Sequence, residues 1–298
     1  MISPGHVAID LCAVCEHPLQ GPVKVTLENS RVRLVQCGKC GSWIYLPRRD
    51  SQAQAALHDE AEYYTHPYFQ ERRSDLQAAD SRCREIFTRV SYGVNLASLR
   101  GQCVLDVGCD TGTFIASAAR QFGIVPTGID VSGQAVRVAK SHGVDAYCCD
   151  LVNAPAHLRE LPLITVIDLI EHLIDPVCFL EQARSRLRPR GLLYMETPNP
   201  ASTIYGLGSF LSRLSNGRPA ALLERLFPPH HVEYFTASSL SDLARRQGLD
   251  LAWIGSRVLP PRDLAVSLPL RVGITALQGL DVMLNRRILL CALLRKTA

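Results

Sequence analysis

An apolar run that ends in an acid and opens onto two spaced glycines, Leu105 to Phe114 (LDVGCDTGTF), carries the clearest chemistry in this chain. Gly108 lets the backbone turn sharply and approach a ligand. Gly112 opens a helix whose free N–H groups face the same ligand. A dinucleotide loop needs G-x-G-x-x-G to cradle a pyrophosphate. The spacing here is Gly108-x-x-x-Gly112, with the carboxylate of Asp106 two residues before the first glycine. Such an acidic loop suits a cationic ligand better than a polyanion.

Four cysteines form a second group. Cys12-x-x-Cys15 and Cys37-x-x-Cys40 are paired knuckles separated by what reads as short strands and turns. Soft thiolates at this spacing complete a tetrahedral zinc shell, and four protein ligands leave no position for a catalytic water, so the predicted site is structural. A redox Cys-x-x-Cys is the competing chemistry, which two knuckles a hairpin apart disfavour. Cys83, Cys103, Cys109, Cys148, Cys149, Cys178 and Cys291 lie mostly in apolar contexts and read as small core residues.

The strands that must position these groups follow in order. Gly123 to Ser132 reads as a second strand ending in Asp130, and Val144 to Leu151 as a third ending in Asp150. Singly, a strand-end aspartate is a helix cap; three at successive strand ends (Asp106, Asp130, Asp150) point to a ligand. The D-x-G-x-x-x-G loop after a strand resembles the first motif of class I S-adenosylmethionine (SAM) dependent methyltransferases. Leu163 to Pro176 resembles that family's fourth strand and following loop, and Arg186 to Pro200 its turn, fifth strand and T-P-N ending.

The resemblance implies SAM as cofactor, with contacts from Asp106, Gly108 and Gly112, from Asp130 to both ribose hydroxyls, from Asp150 to the adenine amino group, and from the adjoining Leu151 and Asp168. It implies an α/β fold: a Rossmann-like seven-stranded sheet with helices on both faces, preceded by a small zinc ribbon. Many members carry Gly where this chain has Asp110. Aspartate tolerates left-handed backbone, and its carboxylate faces either the SAM cation or solvent.

Acid–base candidates sit on the rim where open α/β sheets bind ligands: Asp168, Glu171, His172, His230, His231 and Tyr234. His172 and His231 are the catalytic candidates, because a histidine titrates near neutrality and suits a general base for a hydroxyl or carbon acid. The other reading of His172 is a capping or core histidine. Asp168-x-x-Glu171-His172 further resembles the E-x-x-E-H signature of ubiquinone-pathway O-methyltransferases, which holds a divalent cation; Asp replaces the first Glu. His231-x-Glu233-Tyr234 resembles the H-x-E-Y segment near the acceptor in sugar C-methyltransferases.

These readings divide the chain into a ribbon (1–48), a helical linker or cap (49–100) and a methyltransferase domain (101–298) with a substrate-side insertion at 199–235. Tyr63, Tyr64 and Tyr68 lie in the linker, where the resemblance to sugar C-methyltransferases implies a cap over the cofactor cleft; packing on the main domain is the alternative. Within the insertion Ile204, Leu207, Phe210, Leu211 and Leu214 recur at helical spacing. The readings open there are an amphipathic helix packed on the domain, a lid, a dimer surface and a shallow lipid contact. Strands six and seven are expected at Trp253 to Ser256 and Ile288 to Lys296.

At 298 residues and 47% hydrophobic, the chain holds one large domain plus a small appendage. A net charge of +4 with dispersed basic residues argues against nucleic acid as partner. No apolar run reaches the length of a membrane span, since even Ala265 to Leu284 carries Arg271 and Asp281; a peripheral membrane contact or lipid-linked acceptor stays open. The first residues lack a basic start followed by an apolar stretch, so the sequence predicts a cytoplasmic protein whose eleven cysteines are reduced. The expected function is methyl transfer to a small molecule: a sugar, a nucleotide-sugar or a quinone-like intermediate. Two other readings are an RNA methyltransferase that contacts RNA through its ribbon and a non-catalytic SAM-fold interaction protein. Against RNA, Ile167-Asp168-Leu169-Ile170 stands where amino-directed base methyltransferases carry [DNS]-P-P-[FYW], and no Pro-Cys nucleophile occurs.

Overall fold

Near-continuous apolar segments such as LPLITVI and VLDV are what a parallel strand covered on both faces requires, and they form the centre of the molecule. The computed structural model describes residues 10–27, 32–48, 76–215, 217–218, 220–228, 230–260 and 268–297. The tyrosines at 63, 64 and 68 lie outside these residues. The main sheet has seven strands: β4 (Cys103–Val107), β5 (Val125–Asp130), β6 (Asp145–Cys148), β7 (Leu161–Ile167), β8 (Leu187–Pro198), β10 (Leu249–Arg257) and β11 (Leu289–Lys296). Their order is β10-β11-β8-β7-β4-β5-β6, and β11 alone runs antiparallel to its two neighbours.

Alternate residues of each strand feed opposite layers, as a pleat demands. On β4, Leu105 and Val107 join a core with α4 (Pro176–Arg186) and α7 (Ala237–Arg246), through Leu180, Ala183, Leu240 and Leu243. Val104 joins the other core, with α1 (Leu76–Val90), α2 (Thr113–Phe122) and α3 (Gly133–Ser141), through Phe87, Ile115 and Val136. The expected three-layer α/β architecture is therefore observed. The chain reverses direction across the sheet between β6 and β7, which makes the carboxyl ends of β4, β5 and β7 the switch point where ligands of open sheets bind.

A second sheet has the order β1-β2-β3-β9, where β1 is Val23–Leu27, β2 Val32–Gln36, β3 Trp43–Leu46 and β9 Glu233–Tyr234. The cysteine-bearing hairpin thus takes its fourth strand from the segment that carries His231. Trp43 pairs with Tyr234 and Ile44 with Glu233. Arg246 of α7 donates to the Val14 carbonyl, and Thr236 Oγ1 donates to the Cys40 carbonyl.

The insertion forms α5 (Thr203–Leu214) and α6 (Ala220–Leu226). Its helical spacing is observed, but of the expected apolar set only Ile204 packs. Ile204, Tyr205, Gly208, Ser209 and Ser212 are buried, whereas Leu207, Phe210, Leu211 and Leu214 are exposed. The reason is an edge: Ser212 Oγ accepts from Thr26 N at 2.9 Å and donates to Thr26 O at 3.0 Å, and Ser209 Oγ donates to Lys24 O at 2.8 Å. Hydroxyls satisfy backbone groups that β1 leaves unpaired, a stronger requirement than covering leucines. Among the described residues no helix, α8 (Leu268–Met283) included, is long and apolar enough to cross a membrane.

Candidate active site

The glycine loop has the backbone its sequence demands. Gly108 (φ 72°) and Gly112 (φ 71°) are both left-handed, and a Cβ on Gly112 would lie 2.9 Å from that of Ala139. Asp110 also adopts positive φ (49°), so the aspartate tolerates the left-handed turn. Its amide donates to Asp130 Oδ2 at 2.9 Å, and Ser132 N donates to Asp130 Oδ1 at 2.9 Å. Asp130 is thereby aimed from the end of β5 toward the loop.

Asp106 is buried at the end of β4, and its Oδ1 accepts from Thr165 Oγ1 at 2.6 Å. Burial pushes its carboxyl up to about 7, against the pull of Thr165 and Arg82; the nearby carboxylates of Asp130 and Asp110 add to the rise. Asp150 lies two residues past β6 and accepts from Asn153 N and Nδ2, both at 2.8 Å. Leu151 is buried in the core, and its carbonyl accepts from Arg186. The loop, Asp106, Asp130 and Asp150 therefore gather at the carboxyl ends of three adjacent strands. Leu169 packs over Gly108, and Ala139 and Val144 pack over Gly112, so the absent side chains let these neighbours close on the turn. The acidic, left-handed rim that results has the charge to suit a cationic nucleoside such as SAM.

Asp168 is differently engaged. Held at φ 53° after β7, it accepts from Arg82 Nη2 at 2.7 Å. The same guanidinium reaches Glu196 at 3.1 Å, and Glu196 also receives Arg257 through Nε and Nη2, each at 3.0 Å. Burial alone would raise the Glu196 carboxyl, but Arg257, Arg82 and the Tyr194 hydroxyl hold it down to about 2. Sequence reasoning missed this network. A glutamate inside the apolar run LLYMETP was the only hint, because a carboxylate there must be paired. Nothing in the sequence around Arg82 marks it.

The histidines converge. His172 sits on the helical turn Ile170–His172 after β7, and His230 and His231 on the segment leading into β9. The two segments are clamped by Val232 N donating to Glu171 O at 2.6 Å. The His172 and His230 rings stack at 5.2 Å, with His231 edge-on to both at 4.7 and 5.1 Å. His231 Nδ1 lies 3.0 Å from the Tyr234 hydroxyl. The Glu171 carboxylate turns away to accept from Thr197 Oγ1 at 2.9 Å; burial, reinforced by Asp168, pushes it up to about 8. His172 and His231, 59 positions apart in sequence, are thus brought to one place, and His230 joins them.

The four cysteines also meet. Their sulfurs lie within 4.8 Å of one another, with Cys12–Cys40 and Cys15–Cys37 both at 3.5 Å. That is far beyond a disulfide bond and close to the S···S edge of about 3.8 Å in a zinc tetrahedron with bonds of about 2.3 Å. Each knuckle closes the same way, with Glu16 N bonded to Cys12 O and Gly41 N to Cys37 O, and with positive φ at Glu16 and Gly41. The hydrogen bond between Cys12 and Cys40 lowers the Cys40 thiol and raises that of Cys12. The cluster fits a zinc ribbon.

The glycine-loop geometry on a seven-stranded sheet of this order defines a class I SAM-dependent methyltransferase fold. Residues 50–252 match the model of a family described as a methyltransferase domain, and the chain belongs to that family. Among curated relatives it is 30% identical over 117 residues to a ubiquinone biosynthesis O-methyltransferase of Coxiella burnetii, covering 37% of this chain and 50% of that protein. It is 27% identical over 183 residues to one of Xanthomonas euvesicatoria, covering 58% and 73%. The chain thus spans half the length of the Coxiella relatives it matches. A SAM-dependent methyltransferase of Archaeoglobus fulgidus superposes with TM-score 0.52 at 19% identity, over 78% of this chain and 100% of that one. One of Thermotoga maritima, a possible histamine N-methyltransferase, gives 0.51 at 14%, over 81% and 97%. These structural likenesses show the fold.

Proposed function

We propose that the protein transfers the methyl group of SAM to a hydroxyl of a small, quinone-like molecule. Family membership supports the methyl transfer, and relatives named for ubiquinone biosynthesis favour the acceptor class. The observation that carries the reading is the placement of two chemically different rims side by side: carboxylates and the glycine loop at the ends of β4 and β5, and three histidines just beyond β7. When bound, SAM supplies an electrophilic methyl on a sulfonium. Gly108 and Gly112 give the close approach, Asp130 accepts hydrogen bonds from ribose hydroxyls, Asp150 and Leu151 border the adenine, and Asp106 offers negative charge to the cationic end. Asp168 is assigned to shaping this wall with Arg82.

Methyl transfer is an in-line displacement, so the chain's first tasks are alignment and exclusion of water. A hydroxyl acceptor must also lose its proton, and we assign that duty to the histidine cluster through His172 and His231. We further propose that Cys12, Cys15, Cys37 and Cys40 hold a structural zinc ion that fixes the ribbon against β9.

The test is incubation with methyl-labelled SAM and a panel of ortho-dihydroxy aromatics, sugars and nucleotide-sugars. Label should appear in the hydroxylated ring compounds. Label confined to a sugar or nucleotide-sugar would replace the acceptor class, and label in RNA alone would overturn the small-molecule reading.

A further inference from the structure

We propose that His172, His230 and His231 bind one divalent transition-metal ion, separate from the four-cysteine cluster. Each imidazole offers a ring nitrogen, and these nitrogens all lie within 4.8 Å of one another. Closure to the separation of about 3.3 Å that bonds of about 2.0 Å require is a small inward movement of rings already in contact.

The surroundings prepare the rings as ligands. Nδ1 of His172 is 3.2 Å from the His230 carbonyl, an acceptor only, so that nitrogen carries the hydrogen and Nε2 carries the lone pair. Nδ1 of His231 lies 3.0 Å from the Tyr234 hydroxyl, which fixes that ring from the β9 side. An outer partner on one ring nitrogen and a metal on the other is the usual arrangement of a histidine ligand. The main-chain bond from Val232 to Glu171 holds the two contributing segments together.

The donor set fixes the class of ion. Three imidazoles suit zinc, cobalt, nickel or iron(II), not magnesium or calcium, which take oxygen. The Asp168-x-x-Glu171-His172 set suggested by sequence is not assembled: Asp168 is paired with Arg82, and Glu171 turns to Thr197. His172 instead faces two histidines from a segment 58 residues downstream. Three ligands leave a coordination position for an oxygen. On the methyltransferase reading above, on which this part rests, that oxygen would be the acceptor hydroxyl: the ion would lower its pKa so that its proton passes to water, and the histidines would act as ligands of the ion, not as the final proton acceptors.

The experiment is metal analysis and visible spectroscopy of the full-length protein stripped of copurifying metal with a chelator, then saturated with Co²⁺ and desalted. The parent should hold two ions per chain. His230→Ala should hold one and keep the thiolate-to-cobalt charge-transfer bands; Cys37→Ser should lose those bands and keep the weaker bands of a nitrogen site. Tyr234→Phe, which removes the outer partner of His231 together with the hydroxyl's contact to Tyr45, should weaken the second ion 10-fold to 100-fold. Circular dichroism shows whether each variant is folded, and His172→Gln replaces His230→Ala if that variant is not. A parent that binds one ion, all of it in a sulfur site, overturns the proposal, as do histidine variants that retain two. SAM binding by the same samples separates the readings: SAM bound without a second ion sinks the metal site alone, and failure to bind SAM sinks the methyltransferase reading.

Discussion

The amide of Asp110 donates to the carboxylate of Asp130 at 2.9 Å, tying the glycine loop after β4 to the acid that ends β5. The bond needs Asp110 in the left-handed region, where it is found at φ 49°. Asp110 therefore takes part in the loop's geometry, and the loop in turn orients Asp130.

Cofactor affinity should depend on pH through Asp106. Its carboxyl is raised from 3.8 to about 7 by burial, so in the free protein it binds a proton that the unfolded chain has released. The sign follows: its contribution to stability is full below about pH 4 and is lost as pH rises through about 7. A cationic ligand reverses the balance by favouring the ionised form. SAM affinity should therefore rise about tenfold between pH 6 and pH 8, with proton release, and this dependence should vanish in Asp106→Asn. Calorimetry in buffers of different ionisation enthalpy measures both; a flat profile in the parent contradicts the assignment.

Replacing His172 or His231 by Ala should lower turnover roughly 100-fold to 10,000-fold, the usual contribution of a group that manages the acceptor's proton. SAM affinity should barely change, because neither residue borders the glycine loop. Steady-state kinetics together with SAM titration read the split. Near-parent turnover in both single variants and in the double variant would remove the histidines from the chemistry.

Much of this was legible in the sequence because parallel strands and helix-opening glycines leave local signatures. Seven strands, their order-defining motifs and the Cys-x-x-Cys pairs all have short-range patterns. Asp106, Asp130 and Asp150 could be placed along one edge of the sheet because each lies at or just beyond the end of a strand. The Arg82–Glu196–Arg257 network could not, since its directly bonded partners lie 114 and 61 positions apart with no spacing rule. The outward leucines of α5 were illegible for a different reason. Helical periodicity identifies an apolar face, but the unpaired edge of β1 recruited the serine face instead. Nor does any pattern announce that β9 would pair with β3 and bring His231 under the control of the cysteine hairpin.

Through that last pairing the ribbon is predicted to affect turnover. One zinc per chain should copurify, and Cys37→Ser should release it. Because Tyr234 pairs with Trp43 directly beside the cysteine knuckle, loss of the ion should loosen His231. Turnover should fall roughly 100-fold, the cost of misplacing a reacting group by about 1 Å, while SAM affinity stays within a few-fold. Elemental analysis and single-turnover rates check both halves; freshly purified reduced protein without zinc would end the claim.

The account stands most directly on cofactor binding by Asp130. Its carboxylate is expected to accept charge-assisted bonds from the ribose hydroxyls, each contributing roughly 1.5 to 3 kcal/mol. Calorimetric titration should show the parent protein binding SAM and not NAD, with affinity for SAM at least about tenfold weaker in Asp130→Ala. Unchanged SAM affinity in that variant, or tight NAD binding by the parent, would contradict it.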